Sequence, residues 1–555
     1  MSFINQRLQN LRQAMHRLGA NAFYCTLSDA HLSEYIQEAD KFLTFLSGFT
    51  GSNAQLIVTD HQALLWTDSR YWEQAAHELK DCEIVLMREG HDDVPAPHKW
   101  LTSQSDHTQV TLAVALDSVS STTFKKLKES VQTIVNFQQS EIDNLWPDRP
   151  HRTIKGLYIH HASSVSAHDK LKRLQSYLQS QNGFADSDSL LLTRLDDIAW
   201  LTNLRGSDIE FNPIFLSWAL VSKREACLFG HTQALTEEIT LHLQRAGWRV
   251  LSYETFEDEL SKMNASIWAR EEDLNAKVFT LIHDRFKPCK HPVALWKSVK
   301  TPEEIAGLKE VMKADGQALE DFIEEIKDRL ARGERLTEND AVDILHQKRS
   351  AIPGFIGESF GTIAAVNANA ALPHYEPISG RGAPIEPPCL LLVDSGAHYD
   401  KGTTDTTRVW FLGDSQDYPS EDLQALKRDY TAVYKAMKAL SEATFKPGTT
   451  GFELDKIARA PIHAIGADFG HGTGHGIGLT LNVHETPPSI SPREREGTMT
   501  PFEPGMIVSD EPGIYRPGQW GIRIENMLVC VQKAENLLGF ETLTQCKIDT
   551  TLLLQ

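Results

Sequence analysis

Leu390-Leu391-Leu392-Val393-Asp394, then Tyr399-Asp400-Lys401-Gly402, then Thr403-Thr404-Asp405-Thr406-Thr407-Arg408-Val409-Trp410 is the passage on which the fold turns. The apolar run reads as a buried strand that ends on Asp394, Asp-Lys-Gly reads as a turn, and a second strand follows. The two aspartates stand eleven residues apart. On a hairpin, that spacing can bring both carboxylates to one side of neighbouring strands. An aspartate at a strand end is more commonly a turn residue, so this pair needs company before it reads as a site.

Company comes further along the chain. His471-Gly472-Thr473-Gly474-His475-Gly476-Ile477-Gly478 carries four glycines in eight residues, with His484-Glu485 just beyond. So many glycines permit backbone geometry that other residues resist and leave two imidazoles in an uncrowded place. The stretch lacks the Gly-Lys-Ser/Thr ending of a phosphate loop and the spacing of a dinucleotide fingerprint. Ser509-Asp510-Glu511-Pro512-Gly513 is a strand end and turn, and Gly521-Ile522-Arg523-Ile524-Glu525-Asn526 follows. There, period-two alternation places Arg523 and Glu525 on one face and Ile522 and Ile524 on the other. Alone, each segment is an ordinary half-exposed strand. Together they offer four carboxylates and an imidazole, the oxygen-rich ligation and charge neutralisation that two divalent cations require.

Upstream, Thr301-Pro302-Glu303-Glu304 is a capping box with proline at the first helical position. The stripe Ile305, Leu308, Met312, Leu319, Phe322, Ile326, Leu330 continues it as a long helix, so a third domain is expected over 300–555. Before it, Ile4, Leu8, Leu11, Met15 and Leu18 predict a helix ended by Gly19, followed by a strand at Ala22-Phe23-Tyr24-Cys25. The same grammar returns at Leu171, Leu174, Leu178, then Asn182-Gly183, then Leu190-Leu191-Leu192. A short apolar-to-glycine segment follows each, Phe45-Leu46-Ser47-Gly48 and Asn203-Leu204-Arg205-Gly206. Two related α/β domains are therefore expected, over 1–150 and 151–299, divided at Trp146-Pro147-Asp148-Arg149-Pro150.

Composition narrows the partners. Seventy-five acidic against 55 basic residues give a net charge of −20, which repels phosphate backbones and anionic membranes, so neither nucleic acid nor a membrane is an expected partner. The seven cysteines form no CxxC pair, which suggests reduced thiols, and no apolar run approaches a membrane span or a signal h-region. A cytoplasmic location is expected.

Trp66-Thr67-Asp68-Ser69-Arg70-Tyr71, Asn203-Leu204-Arg205-Gly206-Ser207-Asp208 and the His471, Glu511 and Gly521 motifs resemble, over nearly the whole chain, the pita-bread metallopeptidases, and within them the long, cytosolic-type aminopeptidase P (X-prolyl aminopeptidase). The resemblance implies a C-terminal pita-bread α/β catalytic domain behind two creatinase-like domains. It implies metal ligands Asp394, Asp405, His475, Glu511 and Glu525, with Asp405 and Glu525 bridging two ions. Manganese is the family's preferred metal, with zinc or cobalt as alternatives, and a homodimer is the implied assembly. His374, His471 and His484 match positions near the substrate, a peptide with proline at position two. Departures such as Glu376 and the Ile514-Tyr515-Arg516-Pro517 insert remove no ligand, and Val366-Asn367-Ala368-Asn369-Ala370-Ala371-Leu372 differs enough that no role is assigned to it.

The expected chemistry is hydrolysis by a hydroxide shared between the ions. Glu511 would orient the water and take its proton, His484 would hydrogen-bond the oxyanion, His374 would hold the substrate backbone, and Arg523 would orient a ligand carboxylate. Two rivals stand beside this reading: a prolidase, which cleaves dipeptides, and a metal-free relative used for binding. Intact ligands argue against the second, and about 300 residues before Thr301 argue against the first.

Overall fold

The computed structural model describes residues 3–103, 109–377 and 379–554. The chain forms two compact units, one of Met1–Ile159, Val165–Glu210 and Ile214–His291, the other of His160–Ser164, Phe211–Pro213 and Pro292–Gln555.

In the first unit the helix Phe3–Arg17 buries Leu8, Leu11 and Met15, and Gly19, at φ +70°, turns the chain into the strand Ala22–Thr26. That strand is central to a six-stranded sheet. Its odd-numbered residues Phe23 and Cys25 enter one apolar cluster, and Ala22 and Tyr24 enter another on the opposite face. Burial on both faces is why it reads as an unbroken apolar run instead of an alternating one. Each large side chain so buried contributes about 2 kcal/mol of transfer free energy.

A second sheet repeats the first. Counted along the chain, both have the spatial order 4-3-2-1-5-6. In the first, the central strand pairs antiparallel with Gln55–Thr59 and parallel with Thr111–Val114. In the second, Ser189–Leu192 pairs antiparallel with Ser217–Val221 and parallel with Ile267–Ala269. The outer pairings match in direction as well. The repeat suggested by the sequence is thus a repeat of wiring.

The long helix of the second unit is Pro302–Ala331, capped by Thr301 and Glu304 in the capping box. Its stripe, with Leu319, Phe322 and Ile326, packs on Leu391 and Val393 of the strand Cys389–Ser395. The opposite residues of that strand, Leu390 and Leu392, meet Leu426, Tyr430 and Val433 of the helix Ser420–Ser441. Cys389–Ser395 lies between Ile363–Val366 and Thr406–Leu412 in an antiparallel sheet. A six-stranded sheet in the same unit includes Gly474–Gly476, Glu485–Ile490, Ile507–Asp510 and Asn526–Ala534. This mixed α/β unit, preceded along the chain by two mixed six-stranded sheets, has the expected α/β class. Among the described residues no helix is long and apolar enough to cross a membrane.

Candidate metal centre

The paired strands Cys389–Ser395 and Thr406–Leu412 set Asp394 opposite Thr407, with Asp405 one residue before the second strand. His475 lies in the strand Gly474–Gly476, which pairs with Ile507–Asp510 and thereby reaches Glu511 just past that strand's end. A Cβ on Gly474 would stand 2.0 Å from the Ser509 carbonyl oxygen, so only glycine allows the two backbones this close. Glu525 falls between the strands Trp520–Arg523 and Asn526–Ala534, with Ile522 and Ile524 in the core on the other side.

Asp405, His475 and Glu525 offer ligand atoms all within 4.8 Å of one another. His475 Nδ1–H donates to the Gly476 carbonyl at 2.9 Å, and its Nε2 stands 3.3 Å from Asp405 Oδ2 and 3.4 Å from Glu511 Oε1. Around it three of the four carboxylates are each held by one oxygen. Arg523 Nη2 donates to Asp394 Oδ2, Thr407 Oγ1 donates to Glu525 Oε2 at 2.7 Å, and Ser509 Oγ donates to Glu511 Oε1 at 3.1 Å. Asp394 Oδ1, Asp405 Oδ1 and Glu525 Oε1 are buried and accept no hydrogen bond.

Burial, then the neighbouring Asp394 and Glu511, push the Asp405 carboxyl well above its ordinary range. Burial and Asp405 do the same to Glu525. Acids packed with their like and lacking donors are costly as a metal-free arrangement and suited to divalent cations. The donor set fits two such ions.

Arg523 does more than hold Asp394. Its Nε donates to Thr407 Oγ1 at 3.2 Å and its Nη1 to the Tyr515 hydroxyl at 2.7 Å. Tyr515 in turn lies 2.7 Å from His471 Nε2, whose Nδ1–H donates to the Gly472 carbonyl, so His471 is a neutral acceptor there. Burial lowers the His471 pKa, in keeping with that form. His484 stands edge-on to His475, ring centroids 4.4 Å apart. His374 is half-buried on the turn after the short helix Asn367–Ala371.

Sequence reasoning overlooked Ser509, Thr407 and Tyr515. The first two had a signal: each lies in a strand two residues from an expected ligand that stands just beyond that strand's end. Tyr515 sits in the stretch read as an insert. It lies on the hairpin of Gly513–Arg516 with Trp520–Arg523, which Asp429 clasps through Arg516 and the Trp520 indole N–H.

The Metallopeptidase family M24 pattern matches residues 306–532, and creatinase/prolidase N-terminal domains match 147–304 and 7–145. The class is therefore a metallopeptidase of family M24 carrying creatinase-type N-terminal domains. The chain is 35% identical to the "Probable Xaa-Pro aminopeptidase P" of Botryotinia fuckeliana, covering 99% of this chain and 86% of that one. It is also 35% identical to the Fusarium vanettenii protein of the same name, covering 99% and 92%. The crystal structure of a Caenorhabditis elegans X-prolyl aminopeptidase, described as a cytosolic enzyme with a di-nuclear active site, superposes with a TM-score of 0.92 at 31% identity, covering 100% of this chain and 92% of that one. A Bacillus anthracis Xaa-Pro dipeptidase covers only 69% of this chain but 99% of its own, with a TM-score of 0.54 at 26% identity. The chain belongs to the Xaa-Pro aminopeptidase P family, and its activity is that of a metal-dependent Xaa-Pro aminopeptidase.

Proposed function

We propose that the chain removes one residue from the N-terminus of peptides with proline at position two, with Asp394, Asp405, His475, Glu511 and Glu525 holding two divalent ions, manganese ahead of zinc or cobalt. The observation that carries this reading is the pattern of half-held carboxylates: one oxygen of Asp394, Glu511 and Glu525 tied to Arg523, Ser509 and Thr407, around an imidazole whose Nε2 faces two acids. When bound, the ions supply Lewis acidity and a nucleophilic water near neutral pH. Glu511 would orient the attacking water and accept its proton on a carboxylate oxygen. His484 donates to the oxygen on which charge develops, and His374 holds the substrate backbone. His471 takes the Tyr515 hydroxyl and so helps line the substrate side, while Arg523 fixes Asp394.

An X-Pro bond is a tertiary amide without an amide hydrogen, so a site favouring the ring by shape succeeds where peptidases that grip that hydrogen fail. The surrounding acids suit a free α-amino group. The assembly proposed is a homodimer in the cytoplasm, on the strength of the family alone. The test compares three substrates: an Arg-Pro-Pro peptide, its N-acetylated form, and the form with alanine at position two. The first releases its N-terminal residue, the second resists, and the third shows a much lower kcat/KM. Rapid cleavage of the acetylated peptide, or equal rates for proline and alanine, overturns the reading.

A further inference from the structure

Glu338 lies at the first turn of the helix Glu338–Ser350, is fully buried, and belongs to no ligand set. Its carboxylate is saturated. Oε1 accepts from the Val366 backbone N–H at 2.7 Å and from Asn369 Nδ2 at 2.8 Å. Oε2 accepts from the Tyr375 hydroxyl and from the Ala383 N–H, both at 2.7 Å. Glu338 N–H returns a bond to the Ala383 carbonyl at 2.9 Å. A carboxylate has four good acceptor positions and no donor, and here all four are used. It is therefore free neither to bind a cation nor to take a proton from substrate.

The four donors share one feature: they flank His374 in sequence, two before it, one immediately after, one further on. Two more contacts seat the same backbone. Asn367, at φ +48°, accepts the Leu390 N–H on its side-chain oxygen at 2.8 Å, which ties the short helix to the strand that carries Asp394. On its other side the Ala370 carbonyl oxygen lies where a Cβ on Gly521 would be, 1.7 Å away, against the strand that carries Arg523. The stretch to which sequence reasoning assigned no role is thus lodged between two strands of the metal centre and fastened by one buried acid.

We propose that Glu338 is the positioning residue for His374, gathering the backbone on both sides of it so that the imidazole is presented to the substrate at a fixed distance from the metal centre. This rests on the reading of His374 as a substrate-holding residue. Glutamine has the same shape but replaces one acceptor oxygen with an NH2 group, so in either flip two of the four donors face a donor.

The experiment is a double-mutant cycle on an X-Pro peptide, with metal content and thermal midpoint measured alongside. Glu338→Gln should lower kcat/KM roughly 10- to 100-fold, as loss of an orienting partner does, with the metal retained. On a His374→Ala background the same change should cost no more than about twofold, because the residue it positions is gone. Where Glu338→Gln does not fold, Tyr375→Phe removes a single donor, and its smaller loss should vanish in the same way on His374→Ala. Full activity in Glu338→Gln, or losses that multiply independently of His374, overturns the positioning role. If His374→Ala itself leaves kcat/KM unchanged, the reading of His374 falls, and Glu338 falls with it; that outcome is distinct from independent losses, which remove Glu338 alone.

Discussion

The scaffold acids around His31 in the first unit and the acids of the metal centre in the second are treated in opposite ways. In the first, Asp29 accepts the backbone N–H groups of His31 and Ser33, Asp196 binds Arg194, and Asp40 binds Arg152. His31 itself is neutral and enclosed, its Nδ1–H donated to the Thr193 carbonyl and its Nε2 accepting from the Tyr253 hydroxyl. In the second, Asp394, Asp405 and Glu525 each bury an oxygen that no protein group serves. Saturated polar groups rigidify a scaffold, whereas acids left half-served are expensive unless a cation completes them. The acids around His31 are thus completed by protein donors, whereas those of the metal centre are suited to completion by cations.

Breaking the incomplete side should have the largest effect. Asp405→Asn keeps the shape and removes a charge that faces His475, so kcat on an X-Pro peptide should fall about a thousandfold, roughly 4 kcal/mol of barrier. Hydrogen exchange in the strands Ala22–Thr26 and Gln55–Thr59 should not change. A variant with the parent's metal content and rate would refute the ligand assignment.

Chelation sharpens the contrast without a mutation. A ligand at 100 times its dissociation constant stabilises by about 2.7 kcal/mol, so stripping the ions should speed exchange in Cys389–Ser395 and Thr406–Leu412 and leave the first unit's sheets alone. The pH response of the stripped protein then carries a sign. Asp405 and Glu525 have folded-state pKa values raised by burial and by neighbouring acids. Their contribution is present below the unfolded carboxylate range and lost as pH rises through the raised values. The metal-free second unit should therefore gain protection on acidification from neutral pH, and equal exchange at both pH values would contradict the account.

How far the sequence revealed this differs between the two sides. Periodicity exposed the helix Phe3–Arg17, the strand Ala22–Thr26 and the capping box at Thr301, because those signals are local. Candidate ligands stood out because carboxylates and imidazole are chemically distinctive. What stayed hidden was the holding shell. Glu338 is distant in sequence from Tyr375, Asp429 from Arg516, and nothing within either segment announces a bond that only the packed fold creates. Thr407 and Ser509 are ordinary strand residues until the strands pair.

The smallest effect tests the finished side. His31 is fully enclosed, its ring centroid 4.1 Å from that of Trp218, and burial pulls its pKa from 6.5 down to about 3. A folded-state value below the unfolded one means the unfolded chain binds the proton more readily. Stability of the first unit should be fully present above pH 6.5 and be lost as pH falls toward 3, by about 1.4 kcal/mol per unit at most. This slope is opposite to that of the metal-free second unit. His31→Gln removes the titrating group and two well-formed hydrogen bonds, so at pH 7.5 the variant should be less stable by about 1–3 kcal/mol. On acidification the parent loses stability that the variant does not, and the two curves should converge near pH 5. Exchange in the strand Ser217–Val221, which carries Trp218, reports on this directly. Parallel curves for parent and variant between pH 7.5 and pH 5 would mean that the enclosed imidazole does not set the acid limit of the first unit.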